Sequence, residues 1–112
     1  MTTIVYYDNI QKMIDLQRVE RFEWDEGNAR KNEKHGITQA EAEQVFVNGP
    51  LLLLPDIKHS HDEQRFHALG RTNDNRPVHV TFTLRGNGTG IRIISARSMH
   101  RKERSIYEQE KP

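Results

Sequence analysis

Residues 77–84 alternate without a lapse, with Val78, Val80, Phe82 and Leu84 on one side and His79, Thr81 and Thr83 on the other. A period of two over eight residues specifies a β-strand with one apolar face, and one strand cannot bury such a face alone. The neighbouring stretches supply the rest of a sheet. Residues 51–54 are four leucines closed by Pro55-Asp56, a short apolar run that fits a central strand buried on both sides. Residues 63–70 place Arg65, His67 and Leu69 on one face and Phe66 and Ala68 on the other. Residues 90–97, Gly-Ile-Arg-Ile-Ile-Ser-Ala-Arg, are rich in β-branched side chains and lie between a glycine and Ser98. Polar turns separate these strands, at residues 58–62, at Asn73-Asp74-Asn75 and at Gly86-Asn87-Gly88. Four strands joined this closely form an antiparallel meander.

The helices lie outside that block. Arg21-Phe22-Glu23-Trp24 alternates as a short strand, and Asp25 is a candidate N-cap for a helix over residues 26–35 closed by Gly36. That helix is polar apart from Ala29, so it offers little to a core. Thr38-Gln39-Ala40-Glu41 is a capping box, followed by a buried stripe of Ala42, Val45 and Phe46 and a stop at Gly49-Pro50. Ser98 is expected to cap a terminal helix that turns Met99, Ile106 and Tyr107 inward. In residues 1–20, Asp8 is a candidate cap for a helix bearing Ile10, Met13 and Ile14, which would dock on an apolar surface of this domain or of a partner. The expected fold is α+β: an N-terminal extension over 1–20, then one domain over 21–112. That domain has an antiparallel sheet, two helices after its first strand and a C-terminal helix, all packed on one face.

Charge is divided unevenly. Residues 1–56 hold 6 Lys/Arg against 10 Asp/Glu, a net of −4, whereas residues 57–112 hold 11 against 6, a net of +5. Between Arg65 and Tyr107 nine basic residues face only Asp74 and Glu103, and eight of the nine are arginines. Arginine presents a planar fork suited to bidentate phosphate contacts, so the second half points to a polyanionic partner. In the last strand, strict alternation puts Arg92 and Arg97 on opposite faces, and a basic helix follows. The chain has no cysteine, which excludes disulfides and thiolate metal sites and fits the cytoplasm. No apolar run approaches the ~20 residues of a membrane span.

Two metal patterns are approached and missed. His59-Ser60-His61-Asp62 brings its aspartate one position too early for a dinuclear hydrolase motif, and solvated turn histidines are the commoner case. Pro55-Asp56 with Glu63-Gln64-Arg65 imitates a metal-dependent nuclease but has arginine where lysine is needed. A route without metal or cofactor requires fewer parts. RNA carries its own nucleophile, the 2′-hydroxyl. The protein then supplies a proton acceptor, a proton donor and cations that hold the charge building on phosphorus. Six histidines, Glu63 and the arginines contain all three.

Several motifs in fixed order carry a resemblance. Asn32-x-Lys34-His35-Gly36-Ile37, Ala42-x-x-Val45-Phe46, His59-Ser60-x-x-Glu63-x-Arg65-Phe66 with Gly70, and Arg92-Ile93-Ile94-Ser95-Ala96-Arg97 with Arg101, Glu103 and Tyr107 together resemble the BrnT family of type II toxins. The likeness spans residues 22–107. It implies a RelE-like fold, a ribonuclease that cuts mRNA (on or off the ribosome) and inhibits translation, a BrnA-like antitoxin, and operator DNA bound only through that antitoxin. By position it implicates Lys34, His35, Glu63, Arg65, Arg92 and Arg97. Arg65 and Arg97 would clamp phosphate, Glu63 would act as base or orient an arginine, and His35 would donate a proton. Arg92, His100, Arg101 and Arg104 would bind the RNA backbone. Other readings stand beside these. Glu63 and Arg65 also suit a same-face ion pair, Lys34 and His35 suit the C-terminal end of a helix, and Tyr107 suits the core. Residues 1–20 precede the usual family start, with Met13 as an alternative beginning. The family's acidic residue after the Val-Phe pair is replaced here by Val47-Asn48-Gly49-Pro50. A second function class is a non-catalytic nucleic-acid-binding or interaction module, recognised by salt-dependent affinity without cleavage.

Overall fold

The computed structural model describes residues 3–27 and 35–111. Six strands form one sheet: β1 (Ile4–Tyr6), β2 (Arg21–Glu23), β3 (Leu51–Pro55), β4 (Arg65–Arg71), β5 (Pro77–Arg85) and β6 (Gly90–Ser98), in the spatial order β1-β3-β4-β5-β6-β2. β3 to β6 are the antiparallel meander expected from their periodicity. The edges differ from expectation, because β1 pairs parallel to β3 and β2 pairs parallel to β6. Parallel neighbours need a crossover. The connections from β1 to β3 and from β2 to β6 both cross over, and between β1 and β2 the chain passes from one edge of the sheet to the other through 3-10 turns at Ile10–Lys12 and Leu16–Arg18, burying Ile10 and Ile14 in the sheet's own core. Met13, on the same segment, is exposed.

Both faces of the sheet are covered. On one face Leu51, Leu53, Phe66, Ala68, Val80, Phe82 and Ile93 pack under Ala42, Val45 and Phe46. These last come from α1 (Gln39–Gln44) and the turn after it, and the Thr38–Glu41 capping box is complete at 3.0 Å in both directions. Phe46 stacks edge-on to Phe82 at 5.2 Å, and Phe22 of β2 lies 5.5 Å from Phe46. Gly70 is required here. A Cβ at that position would sit 2.8 Å from Val45 Cβ, too close for any side chain.

The opposite face carries a smaller cluster of Leu52, Leu69, Met99 and Tyr107 under α2 (Arg101–Gln109). The helices therefore lie on both faces, not one, as a strand with leucines pointing both ways demands. Tyr107 is buried and donates to Pro50 O at 2.7 Å, whereas Ile106 stays exposed. α2 starts later than expected. Ser98 ends β6, and His100 is the N-cap. The polar helix expected over 26–35 lies mostly outside the described residues.

Candidate active site

The second face of the sheet holds the polar residues of the alternating strands, and cross-strand pairing arranges them in rows. Arg65 pairs with Thr83 and Thr83 with Arg92; His67 pairs with Thr81 and Thr81 with Ser95; Leu69 pairs with His79 and His79 with Arg97. Directly paired residues share a face. Arg92 and Arg97 thus lie on the same side, contrary to strict alternation. The cause is a β-bulge: the register shifts between Thr81 and Phe82, which pair with Ser95 and Ile93, so Ile94 is the extra residue. One unpaired position restores the parity that five intervening steps would break.

A hollow of about 380 Å³ opens on this face, with Asp56, His59, Arg65, His67, His79 and Arg97 in its lining beside Glu103. His79 and Thr81, which also line it, are buried. The end of β3 and the start of β4 build one wall. Asp56 N donates to Arg65 O at 2.9 Å, and Ser60 Oγ both donates to Asp56 O at 2.6 Å and accepts from Arg65 N at 2.9 Å. These bonds close a tight turn that holds Asp56 and His59 against Arg65, which explains the spacing of the His59-Ser60-x-x-Glu63-x-Arg65 motif.

Asp56 lies between two imidazoles. Its buried carboxylate is 3.1 Å from His59 Nδ1 and 3.4 Å from His67 Nε2, and its Oδ1 accepts the His59 backbone N–H at 3.3 Å. Burial pushes the Asp56 carboxyl up, but His67 and His59 together outweigh burial and hold it below the usual range. His67 Nδ1 meets Thr81 Oγ1 at 3.1 Å, so both of its ring nitrogens are engaged. Burial lowers the His67 pKa against the opposing pull of Asp56. His59 differs. With Nδ1–H donated to Asp56, a neutral ring would present Nε2 as its acceptor, and the ring lies half-exposed at the edge of the hollow.

The His79 and His67 rings lie with centroids 4.6 Å apart and planes inclined at 44°. Burial, with Arg97 and His67 nearby, brings its pKa down to about 4, so it is neutral near pH 7. Its buried Nδ1 has no hydrogen-bond partner.

The cations are held unequally. Arg97 is bidentate on Glu103, at 2.8 and 3.0 Å, and also donates to Ser98 O at 3.1 Å. Of its five N–H groups, Nε–H and one on Nη2 remain for a ligand. Burial raises the Glu103 carboxyl, yet Arg97 and the His100 N–H bring it down to about 2, so it is ionised throughout the neutral range. Arg65 is freer. Its Nε is buried without a hydrogen-bond partner, and its ion pair with Glu63 is 3.8 Å long. Glu63 spreads its charge further, to Arg85 at 3.3 Å and Arg92 at 3.7 Å, while Arg92 also meets Asp25 at 2.8 Å. Glu63 thus contacts three arginines and lies beside the hollow's lining.

Of the residues singled out in the sequence, Arg65 and Arg97 are brought together. His35 sits exposed in the turn before Ile37, and His100, Arg101 and Arg104 are exposed on and before α2; none of the four lines the hollow. Arg76 ties the Gly36 turn to the end of β6 by donating to Gly36 O at 2.7 Å and to Ser98 Oγ at 3.1 Å. Lys34 lies outside the described residues. Asp56, His67 and His79 are additions that sequence reasoning did not single out. Among the described residues, no three or more His, Asp or Glu side chains are arranged to hold a metal ion. No described helix is long and apolar enough to cross a membrane.

Fold and site together define a small α+β protein whose sheet presents one hollow lined by two arginines and by imidazoles held on a buried carboxylate. The chain belongs to the BrnT family: the family described as "Ribonuclease toxin, BrnT, of type II toxin-antitoxin system" matches residues 24–103. Among solved structures, the 1.1 Å crystal structure of the Brucella abortus ribonuclease toxin BrnT is similar, with a TM-score of 0.55 and 24% identity. The match covers 74% of this chain and 100% of that one, and at this identity it bears on the fold. No curated protein matches the chain.

Proposed function

We propose that the protein is a toxin endoribonuclease that cleaves RNA in this hollow without a metal ion, and that a BrnA-like antitoxin neutralises it. Supporting this reading is one observation: Arg65 and Arg97, from β4 and β6, line the same hollow as a histidine held by a buried carboxylate. In the proposed reaction His59 Nε2 accepts the 2′-hydroxyl proton. The 2′ oxygen then bonds to phosphorus, the bond from phosphorus to the 5′ oxygen breaks, and that oxygen takes up a proton. The products are a 2′,3′-cyclic phosphate and a 5′-hydroxyl. Arg65 and the two remaining N–H groups of Arg97 stabilise the charge on the pentacoordinate phosphorus. Asp56 fixes the His59 tautomer, and Glu63 orients Arg65 and Arg92. His35, outside the hollow, stands as a candidate proton donor, and Lys34 as a candidate source of positive charge. Arg92, His100, Arg101 and Arg104 would extend contacts along the backbone, and operator DNA would be reached only through the antitoxin. A cytoplasmic site of action follows from an mRNA substrate.

The test is cleavage of RNA by the purified protein in excess EDTA. Cutting is expected to persist, and Arg65→Ala and Arg97→Ala are each expected to lower kcat by about 10²–10³-fold. His59→Ala is expected to lose more than His35→Ala. RNA that stays intact while binding with steep salt dependence would instead identify a non-catalytic nucleic-acid-binding module.

A further inference from the structure

The hollow runs on one side into a smaller apolar groove. Leu54, Leu69 and Ile106 line this groove together with His67, His79 and Glu103, and the last three also line the hollow. The two form one depression with two chemistries, guanidinium and imidazole at one end and aliphatic side chains at the other. We propose that the groove is a nucleobase subsite, which holds the base of a nucleotide flanking the phosphate gripped by Arg65 and Arg97. The inference rests on the reading of the hollow as the phosphate site.

Three observations carry it. First, Ile106 is 39% exposed and Leu54 half-buried, although both border a polar site, so the fold leaves an aliphatic surface open where a ligand would cover it. Second, the wall shared with the hollow is the His67–His79 pair, two imidazoles 4.6 Å apart and inclined at 44°, and the part-exposed His67 ring offers aromatic surface against which a base can pack. Third, the groove is small, about 100 Å³ against about 380 Å³ for the hollow, so it suits a side group of the ligand and not a further stretch of its backbone. The tether selects the occupant. Once a phosphate sits between the arginines, one adjoining base is held beside this groove by covalent bonds at high effective concentration.

The experiment uses the full chain and short RNA oligomers whose cleaved bond has been mapped by sequencing the products. Two further oligomers lack the base on the 5′ or the 3′ side of that bond, with ribose and 2′-hydroxyl kept. Loss of the base that occupies the groove is expected to lower kcat/KM about tenfold, and loss of the other base much less. Ile106→Asp places charge in the groove and leaves the hollow's lining intact. It is expected to lose about tenfold on the intact oligomer and little more on the sensitive abasic one. Ile106→Ala, the milder variant, is expected to show the same pattern at smaller size and guards against misfolding. Equal rates on all three oligomers, or variants that lose the same factor on intact and abasic RNA, would overturn the subsite while leaving the ribonuclease reading in place. Failure of the folded wild-type protein to cut any oligomer would overturn the reading of the hollow and the subsite with it.

Discussion

Lowering the pH from 6.5 toward 4 is expected to destabilise this protein before most of its carboxylates take up protons. The cause is His79, buried against His67 and close to Arg97, with its pKa depressed from 6.5 to about 4. The sign follows from linkage. A histidine that is harder to protonate when folded costs nothing above its unfolded pKa. Below that value the unfolded chain gains a proton the native state refuses, and stability falls until the native pKa is reached. A gap of about 2.5 pH units at about 1.4 kcal/mol per unit gives roughly 3 kcal/mol, a large share of a small domain's stability. The Glu103 carboxylate, lowered to about 2, adds stability that is lost only between about 4.5 and 2, so the windows of the two groups barely overlap. The assay is urea unfolding at pH 7.0, 6.0, 5.0 and 4.5, with the m-value checked for constancy. His79→Gln keeps a polar side chain but cannot titrate. It is expected to flatten most of the slope between 6.5 and 4.5, with a remainder from His67, whose pKa is also lowered by burial. A variant whose slope matched that of the wild type would refute the argument.

Two other outcomes test the packing. Tyr107→Phe removes the buried hydroxyl that donates to Pro50 O and leaves that carbonyl unpartnered. It should cost about 1–2 kcal/mol, read as a fall in Tm, with the fold intact by circular dichroism. Gly70→Ala drives a methyl group to 2.8 Å from Val45 Cβ and 3.1 Å from its carbonyl oxygen and is expected to cost about 1–3 kcal/mol by urea unfolding; Val45→Ala in the same chain keeps both atoms and is expected to recover none of it.

The meander was legible because β3 to β6 carry their pattern over whole strands: four leucines in one, a clean period of two in another. The edges were not. β1 and β2 are three residues each, too short for periodicity to speak, and their parallel pairing depends on a crossover that no local signal encodes. Arg65 and Arg97 were visible as cations on strands. His79 was read only as opposite the apolar face, since alternation assigns a face and cannot say that His67 and Glu103 of α2 close over it. Asp56 entered only as the end of the leucine run and as part of a nuclease pattern that fails, because its pairing with His67 depends on β3 lying beside β4. The bulge did leave a trace. The apolar core positions of the last strand are Ile91, Ile93 and Ala96, and their parity changes between the second and third.

That single extra residue in β6 makes the charge pattern of the whole surface a matter of counting. Removing Ile94 would shorten the spacing to an even number and let an unbroken ladder keep both guanidiniums where they are, so such a deletion can be absorbed. Straightening the strand at its present length would carry Arg97 through the sheet to the aliphatic side, and no substitution elsewhere would bring it back. The odd interval and the kink are therefore bound to each other, and drift in one is tolerable only when the other drifts with it.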